Sequence, residues 1–215
     1  TAELFDPLDH TFELVAATLA TGRRDHTGTL LVCPTPGCAW DGKVLIAGGF
    51  NQSGTHQTAQ VFDSATKTFG PVLNMVARRE RHSAVLLADG RVLLSGGYGA
   101  GTNTNSEVYN PADDAFAVTA PLLTPRGEHT STRLADGRIL ITGGRRATNA
   151  FIPLASTELF DPGTDTYSTA PAMSVPRARH EATLFGEGAV LITGGMPDAN
   201  FFETWASVEV FHGAF

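Results

Sequence analysis

Four arginine–histidine pairs of the form R-x-x-H stand out as candidates for proton transfer or metal binding: Arg23/His26, Arg79/His82, Arg126/His129 and Arg177/His180. Imidazole titrates near neutral pH and is the commonest metal ligand. The arginine fork matches carboxylates and phosphates. One reading is a ring of four histidines converging on a metal ion. The other is that residues written into every repeat hold the repeats together, and imidazoles on separate structural units start far apart. We therefore read His26, His82, His129 and His180 as hydrogen-bonded structural side chains. Acidic residues recur as regularly, at Glu3, Glu107, Glu158 and Glu209. The expected use of Arg23, Arg79, Arg126 and Arg177 is pairing with these carboxylates between strands or adjacent units. Gln60 breaks the acidic series and should leave one arginine with a neutral partner, so that Arg79 or its neighbours find a different acceptor near Gln60.

The elements that must position these residues follow from the period, which is about 50 residues. Double glycines fall at Gly48-Gly49, Gly96-Gly97, Gly143-Gly144 and Gly194-Gly195. From histidine to first glycine the offsets are 22, 14, 14 and 14, the first stretched by an inserted loop that holds both cysteines. From the acidic marker, or Gln60 in its place, to the next histidine they are 23, 22, 22 and 22. Each period reads as four short strands. "HSAVLL" and "RVLLSGG" flank an Asp-Gly turn, a hairpin signal. "SEVYN" and "AFAVTA" follow, joined by a second turn. No stretch has a sustained helical period, so the fold class is all-β. The aromatic after each acidic marker (Phe5, Phe62, Tyr109, Phe160, Phe211) is expected to form the packing layer between neighbouring units.

The combination "AELFDP", R-x-x-H and "DGRVLLSGG" resembles the kelch family in its bacterial form, over essentially the whole chain. The resemblance implies a kelch-type β-propeller of four-stranded antiparallel blades, similar to the central propeller of galactose oxidase. Residues 1–22 then form a partial blade, 23–75, 76–124 and 125–174 full blades, and 175–215 a second partial blade. The chain opens on third and fourth strands and closes on a third strand. The preferred reading is an open segment of a larger propeller, and a closed four-bladed ring is the alternative. The open edges would be completed by the rest of a longer chain or by another subunit. The resemblance also raises a copper-radical oxidase, whose metal needs a cysteine-linked tyrosine with further tyrosine and histidine ligands. Where such enzymes carry tyrosine ahead of the His129 strand, this chain has Glu128, and the other repeats have Asp25, Arg81 and Arg179. The expectation is no enzyme site in this segment, no metal and no cofactor.

Length and composition vary most after the double glycines, so recognition is expected there. Tyr98, Arg145, Arg146, Phe151, Phe201, Phe202 and Trp205 are the candidate binding residues, because arginine and aromatics favour interfaces. The alternative is that the aromatics only pin long loops. The expected partner is a protein or a glycan. A net charge of -7 with two lysines offers no basic stripe for nucleic acid, and no apolar run is long enough to span a membrane. Cys33 and Cys38 lie in "VCPTPGCAW", a loop suited to a disulfide and hence to an extracellular or secreted protein. Two free thiols in a cytosolic loop are the alternative.

Overall fold

The computed structural model describes residues 2–101, 103–146, 152–186, 188–197 and 204–212. Among these residues the chain is all-β, in small antiparallel sheets. Strands β1 (Ala2–Asp6) and β2 (Thr11–Val15) form a two-stranded pair. The first complete sheet begins with β3 (Thr27–Leu30) and β4 (Val44–Ala47). A ribbon of β5 (Phe50–Asn51) and β6 (Gly54–Thr55) follows the first double glycine. The sheet continues with β7 (Thr58–Asp63) and a fourth strand split into β8 (Thr68–Phe69) and β9 (Leu73–Asn74). Pro71, which has no N–H to donate, sits at the split.

The second sheet is the unbroken version, ordered β10 (Ser83–Leu86), β11 (Val92–Ser95), β12 (Ser106–Asn110) and β13 (Ala115–Thr119). The third has β14 (Thr130–Arg133) and β15 (Ile139–Thr142), then a ribbon of β16 (Arg145–Arg146) and β17 (Ile152–Pro153). It is completed by β18 (Thr157–Asp161) and β19 (Thr166–Ala170). The last sheet has three strands: β20 (Glu181–Phe185), β21 (Ala189–Thr193) and β22 (Val208–His212). The first strands of successive sheets lie beside one another, β3 next to β10, β10 next to β14, and β14 next to β20.

The apolar second strands explain the stacking. On β11, Val92 and Leu94 join a core with Leu45, Ala47 and Met75 of the sheet before. Leu93, pointing the other way, joins Ile139, Ile141 and Phe160 of the sheet after. A third core sets Leu134, Leu140 and Met173 against Val190 and Ile192. Side chains alternate between faces of a strand, so a continuous apolar run is what a strand covered on both faces needs. The repeated aromatics pair within their own sheets, as in Tyr109–Phe116 and Phe160–Tyr167, with ring centroids 5.0 and 4.8 Å apart. They also enter the cores shared with the sheet before, Tyr109 with Leu45 and Phe160 with Leu93. The same pair at the first edge, Phe5–Phe12, is open to solvent, with Phe5 52% exposed.

The double glycines are where one sheet docks on the next. Gly96 has φ 61°, and a Cβ built on it would lie 2.2 Å from the Arg126 carbonyl oxygen and 2.9 Å from the His129 ring. Its neighbour Gly97 donates its N–H to the same carbonyl at 2.8 Å. Gly49 and Gly144 do the same to Arg79 and Arg177, at 2.8 and 2.9 Å. Gly194 has a similar φ of 68°, but a Cβ there would meet nothing among the described residues within 4 Å. Comparing Gly96→Ala with Gly194→Ala therefore separates backbone strain from inter-sheet contact. Each should lose about 1–2 kcal/mol to the left-handed conformation. Gly96→Ala should lose substantially more in chemical denaturation, and equal losses would contradict this docking.

Candidate functional site

Each repeat arginine reaches from the segment preceding the first strand into the mouth of its own sheet. Arg126 Nη1 donates to the Gly143 and Ser156 carbonyls at 2.6 and 2.9 Å, and Nη2 meets Glu158 at 2.6 Å. Arg79 meets Glu107 at 2.6 Å and the Gly96 and Asn105 carbonyls at 2.7 and 3.2 Å. Arg177 meets Glu209 at 2.8 Å and the Gly194 and Ser207 carbonyls at 2.8 and 3.2 Å. All three guanidinium groups are fully buried. The carboxylates also accept N–H groups from the incoming chain: Glu107 from Val76, Glu158 from Leu123 and Thr124, and Glu209 from Ser174. Arg23 has neutral partners, the Gly48 and Thr58 carbonyls at 2.8 Å and the Thr58 hydroxyl at 3.2 Å. Gln60 keeps the clamp on the incoming chain, accepting the Ala20 N–H at 2.8 Å. Glu3, on the edge pair β1–β2, is exposed.

The histidines join neighbouring sheets. His82 Nε2 is 2.9 Å from the Thr27 hydroxyl, His129 Nε2 is 3.1 Å from Ser95, and His180 Nε2 lies 3.1 and 2.8 Å from Thr130 and Thr142. His26, which has no complete sheet before it among the described residues, is exposed. Burial, with the charge of Arg79 or Arg126 added, holds His82 and His129 well below the ordinary imidazole range. Burial, with the charge of Arg177, pushes His180 down to about 4.

Beside these clasps the chain builds a charged hub. Asp25, Arg81, Glu128 and Arg179, each immediately ahead of a repeat histidine, all have left-handed backbone, with φ between 49° and 57°. Their backbones form a belt: Arg81 donates its N–H to Asp25, Glu128 to Arg81, and Arg179 to Glu128, each at 2.9 Å. The belt alternates in charge and converges on Glu128, whose side chain is only 4% exposed. Glu128 Oε1 receives Arg81 at 2.8 Å, Arg179 at 2.7 Å and Arg145 Nη2 at 2.9 Å, and Arg145 Nε faces Oε2. Burial opposes its ionisation, but hydrogen bonds from Arg179 and Arg145 outweigh this and hold the carboxyl below its usual range. A cavity of about 410 Å³ opens over the hub, lined by Asp25, Arg81, Glu128, Arg179 and Glu181.

Several loop residues expected to bind are committed to structure instead. Tyr98 is buried against Gly127 and donates to the Arg145 carbonyl at 3.3 Å, and burial pushes its phenol up to about 12. Arg145 is buried on Glu128. Trp205 is half-buried and donates its indole N–H to Pro176 at 2.9 Å, which is the loop-pinning role. Arg146 is exposed on β16. Phe151, Phe201 and Phe202 lie outside the described residues. The hub is the feature that sequence reading missed, although the alternation Asp25, Arg81, Glu128, Arg179 was visible as a signal.

Cys33 and Cys38 form a disulfide, with Cα atoms 6.0 Å apart. Among the described residues no His, Cys, Asp and Glu side chains cluster as a metal site would require. Among the described residues no helix is long and apolar enough to cross a membrane. No protein-family model matches the chain, and no curated protein matches its sequence.

Two outcomes follow from the clasps. Glu158→Ala should cost about 3–5 kcal/mol in urea denaturation, because it strands a buried guanidinium. Glu158→Gln, which copies the Gln60 arrangement, should cost less; equal costs would show that the charge is not what the site needs. The histidines set a pH dependence. Their folded pKa values are depressed, so protons bind the unfolded chain first. Stability present above pH about 6.5 is lost as pH falls towards 4. Tm should drop between pH 7 and 5, and His129→Gln should flatten that slope.

Proposed function

We propose that the chain is a segment of a kelch-type β-propeller that serves as a non-catalytic binding scaffold, recognising a protein or glycan through its loop end. Support for the propeller comes from successive sheets that pack face to face with their first strands side by side. The observation that carries the scaffold reading is the commitment of reactive groups at the loop end. Glu128 is held by three arginines, and the buried histidines are bonded to hydroxyls. What remains outward is a recognition surface: exposed Arg146, and Arg81 and Arg179 at the rim of the hub cavity. The copper-radical oxidase is the competing proposal. It would need a tyrosine near the position of Glu128, where arginine side chains now converge, and that local positive charge disfavours a copper ion.

The partner proposal includes the two open faces. Among the described residues His26 lacks the hydroxyl partner that the other repeat histidines have, and Gly194 lacks the docked carbonyl that faces Gly48, Gly96 and Gly143. Exposed Phe5, Phe12 and Leu14 at one face, and Phe185, Val208 and Val210 at the other, are surfaces for further repeats of a longer chain or for another subunit. The disulfide supports an extracellular or secreted location. The test of function is a glycan array and a protein-interaction screen of the isolated chain, with copper-supplemented oxidase assays beside them. The expected result is a ligand whose affinity falls at least about tenfold with Arg146→Ala at unchanged Tm, about 1.4 kcal/mol. Copper-dependent oxidation of a primary alcohol with release of peroxide would overturn the scaffold reading.

A further inference from the structure

A groove of about 370 Å³ lies between the first and second complete sheets, away from the hub. Its walls include Trp40, Lys43, Asp63, Thr68, Tyr109 and Asp114. Trp40 has no counterpart. The residue before the Asp-Gly turn of the next two repeats is alanine, Ala88 and Ala135, and the last repeat has Gly186 at that place. A groove of about 340 Å³ recurs between the second and third sheets, where Phe160 takes the place of Tyr109 and no tryptophan is present. The first repeat is also the one with the inserted loop, and that loop is built to hold the tryptophan. The Cys33–Cys38 disulfide closes it, Asp41 accepts the Cys33 N–H at 2.9 Å, and Lys43 donates its N–H to the Trp40 carbonyl at 3.2 Å.

The polar groups beside the ring suit hydroxyls. Lys43 pairs with Asp63 at 3.1 Å, and Asp114 accepts the Tyr109 hydroxyl at 2.6 Å. The Trp40 indole N–H is shielded from solvent and has no acceptor among the described residues, which costs about 1–3 kcal/mol while it stays unpaired. Lys43 neutralises Asp63 and leaves Asp114 as net negative charge, which disfavours anions. A pyranose ring presents an apolar C–H face for an indole and an edge of hydroxyls that donate to carboxylates and accept from N–H groups. The volume falls at the low end of small-ligand sites, about 300–1,000 Å³. We propose that this groove is a second binding site, for a neutral saccharide, with Trp40 as the stacking platform and Asp63 and Asp114 as hydroxyl acceptors.

The chain has two tryptophans, so Trp205→Phe leaves Trp40 as the only indole reporter. That protein is titrated with methyl glucoside, methyl galactoside, N-acetylglucosamine and their β-linked disaccharides, with glucuronate as the anionic control. The expected result is a saturable change in Trp40 emission with at least one neutral sugar, and none with glucuronate. By calorimetry on the wild-type chain, Asp63→Asn and Asp114→Asn should each weaken binding about tenfold, about 1.4 kcal/mol. Trp40→Ala should abolish it. Trp40 also packs on the core, so Trp40→Phe is the second variant; its flat ring should retain measurable binding. No response to any neutral sugar up to about 50 mM, well above a millimolar Kd, would overturn the proposal. So would a response to glucuronate alone, or binding indifferent to both carboxylate variants. Arg146→Ala should leave this binding unchanged, which separates its failure from that of the loop-end reading.

Discussion

A guanidinium taken out of water is tolerated only when its donors find acceptors, and this chain does that at Arg79, Arg126 and Arg177. Each side chain ties the end of a second strand to the start of a third. Each partner carboxylate then grips the N–H groups of the chain arriving from the previous sheet. The backbone carbonyl of the same arginine accepts the second glycine of that previous sheet. One residue thus closes its own sheet and anchors its neighbour. The apolar cores between sheets supply the larger driving force, but they are non-directional and do not fix how one sheet meets the next. Directional clasps do.

The other repeated residues follow from that geometry. The sheets approach so closely at the clasp that a Cβ at Gly96 would collide with backbone, so glycine is required there. The imidazole three residues after each arginine fills the remaining gap and bonds a hydroxyl across it. Between arginine and histidine the chain must turn through a left-handed residue, and those residues form the charged belt around Glu128. The hub is therefore a by-product of the clasp that the sequence has filled with complementary charge. A surface for recognition at this end can vary without disturbing the clasps beneath it.

Much of this was legible in the sequence because repetition turns a weak signal into a strong one. The strands and their order in each sheet follow from fixed offsets. So does the pairing of repeat arginines with repeat glutamates, although not which glutamate meets which arginine. The exception at Gln60 was legible in kind but not in place: the arginine with neutral acceptors is Arg23, whereas Arg79, where the exception was expected, pairs with Glu107. What the loop residues do was not legible, for a physical reason. Tyr98, Arg145 and Trp205 belong to types that favour interfaces, but the same properties let them bury area and satisfy carbonyls or Glu128 internally. Composition does not say whether a tyrosine faces out or packs on Gly127. Convergence of Arg81, Arg145 and Arg179 on one carboxylate needs three segments brought together across the chain, and spacing within a single repeat does not show it.

The central claim is that the arginine carbonyl to glycine contact joins the sheets. It is tested most directly by amide hydrogen exchange at Gly49, Gly97, Gly144 and Gly195. The first three donate to the next sheet, whereas among the described residues no further sheet faces the fourth. Gly49, Gly97 and Gly144 should exchange as slowly as core strand amides such as Leu93, through opening close to global unfolding. Gly195 should exchange far faster. Exchange of all four glycines at one common fast rate would contradict the account, because the sheets would then be held by their apolar faces alone.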